Sequence, residues 1–186
     1  MTASTIAVLA ALTACTAPAA PAPADPGPLG AVVDTAQRRL ATADTVAAAK
    51  WGTRGAIEDP AREKTVLDAA AAGSAPRGLD PAVAASVFRD QIEANKVVQY
   101  GLFESWTAQP QQAPATAPDL ATVRPVLDAV TGQLLDALVA TRDARSGAGC
   151  AAQLGAARAS EVDRLHLDPL HQEALDRALR SVCGAR

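Results

Sequence analysis

The sequence is poor in aromatic residues and has no hydrophobic run of the length that crosses a membrane. Of its 186 residues, 3% are Phe, Trp or Tyr. Because strands are enriched in aromatic and β-branched residues, this scarcity argues against a β-sheet fold. The apolar run at residues 6–14 is much shorter than the about 20 residues that a membrane helix needs. We therefore expect no membrane-spanning helix.

The chain also lacks the strong positive charge of a nucleic-acid-binding protein. Its formal net charge is −3, so we expect no nucleic acid as a partner. The composition is 49% hydrophobic and 20% charged, and alanine supplies much of the apolar content. A chain of this composition can bury a core, and alanine is the best helix former. The sequence therefore predicts an all-α fold in a single domain.

Residues 1–28 are predicted to precede that domain as a signal peptide and an Ala/Pro-rich segment. The apolar run at residues 6–14 has the length of a signal-peptide hydrophobic region, although no Lys or Arg precedes it. Residues 12–15 also resemble a bacterial lipobox, in which Cys15 would be lipidated. An incidental cysteine near the cleavage region is an equally weighted alternative. The sequence predicts export to the periplasm, cell envelope or extracellular space, with residues 29–186 as the domain.

Cysteine usage agrees with export. Besides Cys15, the chain has Cys150 and Cys183, which form an even pair if Cys15 is removed or lipidated. In an oxidising compartment such a pair favours a disulfide. Two unpaired buried thiols are the alternative. No suitable His cluster accompanies the cysteines, so we predict no metal site.

Helical periodicity and local start signals predict about six helices. Asp-Pro pairs at Asp59, Asp80 and Asp168 combine an N-cap with proline at the first helical position. Glycine- and proline-rich stretches separate the periodic segments. Five of the predicted helices span residues 29–51, 60–72, 81–106, 150–164 and 169–183. The remaining helix is predicted to begin between residues 119 and 122 and to end at residue 145, after a loop at 107–118.

Four basic residues suggest a pocket for an anion. Arg39 and Lys50, 11 residues apart, are predicted to share one face of the first helix, about 16 Å apart along its axis. Arg62 and Arg124 fall in the opening turns of their helices, where a cation opposes the helix dipole. An anion between such an arginine and the helix N-terminus would offset that cost. A lysine extended into solvent is the alternative for Lys50.

Two further groups of polar residues accompany these cations. Asp59 and Glu63 are predicted to share the first turn of the second helix with Arg62. Capping and a favourable dipole position also account for these two carboxylates. Asn95 and Gln99 are four residues apart and share a face of the third helix. On their own they are an ordinary exposed pair.

Taken in order, these residues resemble the active-site series of the all-helical chorismate mutases. In that family an Arg and a Lys lie on a long first helix, an Asp-x-x-Arg-Glu-like turn opens the second, and two polar residues four apart lie on the third. The predicted export and the Cys150/Cys183 pair resemble the secreted subclass, in which a later arginine, here Arg124, completes the pocket. The resemblance covers residues 30–184. Some secreted members carry Thr where this chain has Asn95, and Glu where it has Gln99.

The resemblance implies that the protein rearranges chorismate to prephenate without a cofactor or metal. It implies that Arg39, Arg62 and Arg124 hold the two substrate carboxylates, with Asn95 assisting. Lys50 and Gln99 would donate to the ether oxygen, and Glu63 and the Asp59 turn would bind the ring hydroxyl. His166 and His171 receive no role.

Two alternatives remain open at this stage. The same fold supports isochorismate-pyruvate lyase activity on a similar dianion. The other alternative is a non-catalytic helical envelope protein or lipoprotein on the same scaffold. Chorismate is the only partner that the sequence predicts, and a homodimer is left open.

Overall fold

The computed structural model describes residues 26–184 and contains no strand within them. The prediction of an all-α domain is confirmed. Two of the six predicted helices are each divided, so that eight α-helices lie within the described residues. They are α1 (Gly30–Leu40), α2 (Ala43–Thr53), α3 (Pro60–Ser74), α4 (Pro81–Ala108), α5 (Arg124–Ala140), α6 (Arg142–Ser146), α7 (Cys150–Leu165) and α8 (Pro169–Ala178).

The Asp-Pro pairs begin helices as predicted. The side chain of Asp59 accepts a hydrogen bond from the backbone N–H of Arg62, and Asp168 does the same for His171. Asp80 caps α4 through the N–H of Ala82. Each side chain satisfies an N–H that has no partner inside the helix, which stabilises a helix by about 1 kcal/mol. These starts depend only on neighbours in the chain.

The predicted first helix is interrupted at residues 41–42. There the Thr42 hydroxyl donates to the carbonyl oxygen of Arg39 at 2.9 Å, and the Thr42 N–H donates to the same oxygen at 3.3 Å. Threonine can compete for backbone groups in this way, which weakens a regular helix. Arg39 and Lys50 consequently lie on two successive helices rather than on one.

Helix α5 begins later than predicted. Asp119 caps a short 3₁₀ turn over residues 120–122 instead of the helix itself, through the N–H of Ala121 at 2.8 Å. Helix α5 then starts at Arg124 with Pro125 in its first turn, as the lack of a proline N–H requires. A turn at Thr141 separates α5 from the five-residue α6. A second 3₁₀ turn, at residues 110–112, lies in the predicted loop.

The long helix α4 lies at the centre of the fold. It packs against α2, α3 and α8, while α1 packs against α5, α7 and α8. The core between them consists of aliphatic residues and Phe88. Gly101 allows α8 to approach α4, because a Cβ at Gly101 would meet Leu170 Cδ1 at 2.5 Å. Within residues 26–184, no helix is both long and apolar enough to span a bilayer.

Two local features fix the ends of this bundle. Trp51, Phe103 and Trp106 form edge-on ring contacts, with centroids 5.1 Å apart for Trp51 and Phe103. They attach the end of α2, where Lys50 lies, to the end of α4. At the other end the predicted disulfide is confirmed: Cys150 at the start of α7 is bonded to Cys183, with Cα atoms 5.8 Å apart.

Candidate active site

One cavity of about 390 Å³ is lined by all eight residues that the sequence proposed for substrate contact. Residues from α1 to α5 and from the turn before α3 form its wall. The predicted residues are Arg39, Lys50, Asp59, Arg62, Glu63, Asn95, Gln99 and Arg124. Their roles remain a proposal, but the tertiary structure brings them to one place.

Arg39 is held rigidly at the inner wall of the cavity. Its side chain is buried, its Nη1 donates to the hydroxyl of Thr131 at 2.9 Å, and its guanidinium carbon lies 5.2 Å from the centroid of the Phe88 ring. Burial and the charge of Arg62 lower the pKa of Arg39 to about 10, against the opposing effect of Asp128. Arg39 therefore carries a preoriented positive charge at neutral pH.

Lys50 reaches the same cavity from the last turn of α2. Its Nζ donates to the backbone carbonyl oxygen of Ile57 at 2.6 Å. Burial lowers the pKa of Lys50 below its ordinary value, although Asp59, Glu58 and Glu63 act in the opposite direction. An ammonium bonded to one neutral oxygen keeps two further N–H donors for a ligand.

The opening turn of α3 supplies three of the lining side chains. Asp59 is the N-cap, and its Oδ1 accepts from the backbone N–H of Arg62 at 3.0 Å. Arg62 is exposed at the mouth, while Glu63 is partly buried. Capping therefore accounts for one Asp59 oxygen and also sets the direction of the turn that carries Arg62 and Glu63.

Asn95 and Gln99 form a hydrogen-bonded pair on α4. The Gln99 Nε2 donates to Asn95 Oδ1 at 2.6 Å. Gln99 is buried, and its Oε1 has no hydrogen-bond partner among the described residues. Oxygen and nitrogen in such amides are assigned from their bonding, and flipping both amides would preserve this side-chain contact while giving up the 3.4 Å bond from Gln99 Nε2 to the Asn95 carbonyl oxygen. The free end of Gln99 would then be an N–H donor.

Helix α5 forms the opposite wall with residues spaced along one face. Arg124, Asp128 and Thr131 all line the cavity, at the spacing of residues on successive turns. The sequence predicted only Arg124. The spacing of Asp128 and Thr131 from Arg124 predicts that the three residues share one face of a helix. It does not predict what that face contacts.

Lys96 is a further lining residue that the sequence analysis missed. It lies one position after Asn95, is buried, and forms ion pairs with Glu58, Glu63 and Glu93. Glu93 at the i−3 position gives a weak local signal for one of these pairs. Glu58 and Glu63 lie more than thirty residues earlier, and only folding brings them to Lys96.

The cations of the cavity divide into two kinds. Within residues 26–184, Lys96 is surrounded by carboxylates, whereas Arg39, Lys50, Arg62 and Arg124 form no ion pair. Unpaired cations that converge in a cavity repel one another, and an anion between them removes that cost. In the part of the chain that is described, no group of three or more His, Cys, Asp or Glu residues could hold a metal ion.

Fold and cavity together define an all-helical protein with one cavity on which several cations without ion-pair partners converge. The sequence profile described as chorismate mutase type II matches residues 31–100. The secreted chorismate mutase of Mycobacterium tuberculosis is 35% identical over 184 residues, which are 99% of this chain and 92% of that protein. The secreted chorismate mutase of Mycolicibacterium smegmatis is 35% identical over 86% of this chain and 88% of its own length.

A solved structure gives the same result. The crystal structure of chorismate mutase from Burkholderia phymatum superimposes with a TM-score of 0.81 at 38% identity, covering 85% of this chain and 97% of that one. The chain belongs to the chorismate mutase family.

Proposed function

We propose that the cavity binds chorismate and rearranges it to prephenate. The observation that carries this proposal is the convergence of four cations without ion-pair partners, Arg39, Lys50, Arg62 and Arg124, on one cavity. Chorismate is a dianion, so these charges match its two carboxylates. Family membership supports the same reaction. The proposed roles use only side chains of this chain.

The reaction is a unimolecular rearrangement in which an ether C–O bond breaks as a C–C bond forms. The enzyme must hold the enolpyruvyl group over the ring and stabilise the negative charge that develops on the ether oxygen. Arg39, Arg62 and Arg124 bind the carboxylates in this proposal, with Asn95 assisting. The Thr131 bond and the Phe88 contact keep Arg39 oriented before substrate arrives, so no reorganisation is needed.

Lys50 and Gln99 are the proposed donors to the ether oxygen. Lys50 offers a charged donor from α2, and Gln99 offers a neutral amide from α4. A preoriented donor of this kind lowers a barrier by about 3–4 kcal/mol. Glu63 and the Asp59 turn accept a hydrogen bond from the ring hydroxyl, which fixes the ring in the cavity.

The experiment is to follow the loss of chorismate by absorbance with the purified protein and to identify the product. Prephenate is expected; pyruvate formed from isochorismate would instead indicate a lyase, and no turnover of either compound would indicate a non-catalytic protein.

Lys50→Ala should lower kcat by more than about tenfold, which is 1.4 kcal/mol in the barrier, without lowering Tm appreciably. Lys64→Ala is the matched control, because Lys64 pairs with Asp68 on the exposed face of α3. If Lys50→Ala retains more than a tenth of the activity, Lys50 has no part in the reaction.

We propose that the chain is exported. The relatives from both mycobacteria are named as secreted proteins, and the Cys150–Cys183 disulfide suits an oxidising compartment. The proposed signal peptide and Ala/Pro-rich segment cover residues 1–28, of which residues 1–25, including the proposed lipid site at Cys15, lie outside the described residues. The mass of the protein recovered from the producing cell, compared for wild type and Cys15→Ser, distinguishes lipidation from cleavage alone. Measuring the molecular mass of the purified protein in solution tests whether it forms a homodimer.

A further inference from the structure

The ion cluster at Lys96 joins two elements of the cavity wall. Lys96 Nζ lies 2.9 Å from Glu58 Oε2, 3.0 Å from Glu93 Oε1 and 3.2 Å from Glu63 Oε1. Tyr100 adds an O–H donor to Glu58 Oε1 at 2.9 Å. Glu58 and Glu63 belong to the opening of α3, whereas Lys96 and Glu93 belong to α4. A single ammonium therefore ties the α3 turn to the central helix.

The segment that Lys96 holds carries much of the proposed substrate contact. Glu58 precedes Asp59 directly, Arg62 precedes Glu63, and the carbonyl of Ile57 accepts the Lys50 hydrogen bond. A shift of this turn would therefore move Asp59, Arg62 and Glu63 together. On α4, Lys96 lies between Asn95 and Gln99, so this end of the ion cluster is also next to proposed substrate contacts. Such a shift would weaken the contacts that hold the substrate in place.

The Lys96 ammonium also offsets part of the repulsion between carboxylates near the cavity and an anionic substrate. The cavity is proposed to accept a dianion, yet Glu63 lines it, and Glu58 and Glu93 lie beside the same ammonium. Like charges near such a wall repel one another, and the repulsion is strongest where water screens them least. The Lys96 side chain is 11% exposed and that of Glu63 18%, so water screens this pair poorly, whereas Glu58 at 53% and Glu93 at 36% are more open to solvent. Burial lowers the pKa of Lys96, but the bonds to Glu58, Glu93 and Glu63 outweigh it and raise the pKa above its ordinary value.

We propose that Lys96 is a positioning residue for the rearrangement, which offsets part of the negative charge of Glu58, Glu63 and Glu93 and holds the α3 turn so that Glu63 accepts a hydrogen bond from the ring hydroxyl of the substrate. This inference rests on the proposed function of the cavity. Lys96 does not contact the substrate; its three N–H donors are already used by three carboxylates. Its effect is therefore on binding more than on the bond-breaking step.

The test compares Lys96→Met with Lys96→Arg and with Lys64→Met. Methionine keeps the length and apolar stem of lysine and removes the charge. KM for chorismate should rise at least about tenfold in Lys96→Met, with kcat reduced by a smaller factor, and raising the salt concentration should narrow the KM difference because the excess negative charge is screened. Lys96→Arg should restore KM to within about threefold of wild type. Lys64→Met removes the same charge from an exposed pair with Asp68 and should leave both constants unchanged.

The outcomes separate this inference from the proposed function. If wild type does not turn over chorismate, both are overturned. If wild type is active and Lys96→Met matches Lys64→Met in KM and kcat, the role of Lys96 alone is overturned. A loss of kcat with KM unchanged also overturns it, because Lys96 would then act on the reacting bonds. Should Lys96→Met fail to fold, Lys96→Gln removes the charge but keeps a hydrogen-bond donor, and the same KM criterion applies to it.

Discussion

The Arg39 guanidinium donates a 2.9 Å hydrogen bond to the hydroxyl of Thr131, which lies 92 residues later in the chain. This bond connects α1 to α5 across the inner wall of the cavity. Phe88 packs against the guanidinium from α4, so three helices define the direction of one cation. Within the described residues, Arg39 forms no ion pair with a carboxylate. Its guanidinium is oriented instead by the neutral hydroxyl of Thr131.

Thr131→Val should weaken chorismate binding without unfolding the protein. Valine has nearly the shape of threonine and lacks the hydroxyl, so the Arg39 N–H loses its partner and its fixed direction. We expect KM to rise about three- to tenfold, in line with the about 0.5–1.5 kcal/mol net value of such a hydrogen bond, with Tm changed little. Thr107→Val is the control, since the Thr107 hydroxyl donates only to the Phe103 carbonyl of its own helix and Thr107 lies outside the cavity. Equal KM values in the two variants would show that Arg39 needs no such support.

Gln99→Glu should make catalysis strongly pH-dependent. A neutral amide donates its N–H at every pH near neutrality, so wild-type kcat/KM should stay roughly level from mildly acid to mildly alkaline pH. A carboxylic acid donates only when protonated, and its ionised form would put negative charge where negative charge develops. The variant should therefore be active at low pH and lose activity as the pH rises. The measurement is a pH–rate profile for both proteins in the same buffers.

Gln153→Glu provides the control for that comparison, because Gln153 is exposed on α7 and outside the cavity. Its profile should follow wild type. Parallel profiles for Gln99→Glu and wild type would mean that Gln99 does not touch the reacting oxygen, and the α4 part of the site would need another assignment.

His171 should link the stability of the fold to pH. Its Nδ1 lies 2.8 Å from Asp168 Oδ2 and its Nε2 lies 3.2 Å from Asp44 Oδ2, joining α8 to α2. The bond to Asp44, together with Asp168 and against burial, raises the pKa of His171 to about 9 from an ordinary value of 6.5. Because the folded pKa is the higher one, the stabilisation is complete below pH 6.5 and is lost as the pH rises through 9.

Thermal melting of wild type and His171→Gln from pH 5.5 to 9.5 measures this effect. The Tm advantage of wild type should be largest at the acid end and should shrink toward pH 9.5. Asp44→Asn, which removes the first of the two partners, should reduce the same pH dependence by a large part. A Tm difference that stays constant over this range would show that the folded and unfolded proteins bind the His171 proton equally.

The Cys150–Cys183 disulfide should contribute to stability and not to activity. It closes a loop with a sequence separation of 33, for which the chain-entropy model gives about 3–4 kcal/mol. Neither cysteine lines the cavity. Intact mass should rise by two hydrogens on reduction, and Cys150→Ala with Cys183→Ala should lower Tm while kcat/KM at 25 °C is retained. Loss of activity at a temperature where that variant is folded would contradict this separation of roles.

The sequence by itself determined three of the helix starts and most of the charged and amide residues that line the cavity. Asp59, Asp80 and Asp168 cap helices because a cap requires only an acceptor side chain and the N–H groups two or three residues later. The position of Arg124 beside Pro125 followed equally from local sterics. The order of the basic and amide residues was enough for the resemblance to chorismate mutases, because that order survives without knowledge of the fold.

Only the tertiary structure decided which side chains meet. The Arg39–Thr131 bond and the attachment of Lys96 to Glu58 and Glu63 each depend on how α1, α3, α4 and α5 pack. Periodicity places a residue on a face of its helix, but it does not tell which helix covers that face. That choice is made by the burial of the core residues of the whole bundle, since burying their apolar surface fixes the distances and angles between helices. Contacts between residues far apart in the chain follow from that packing.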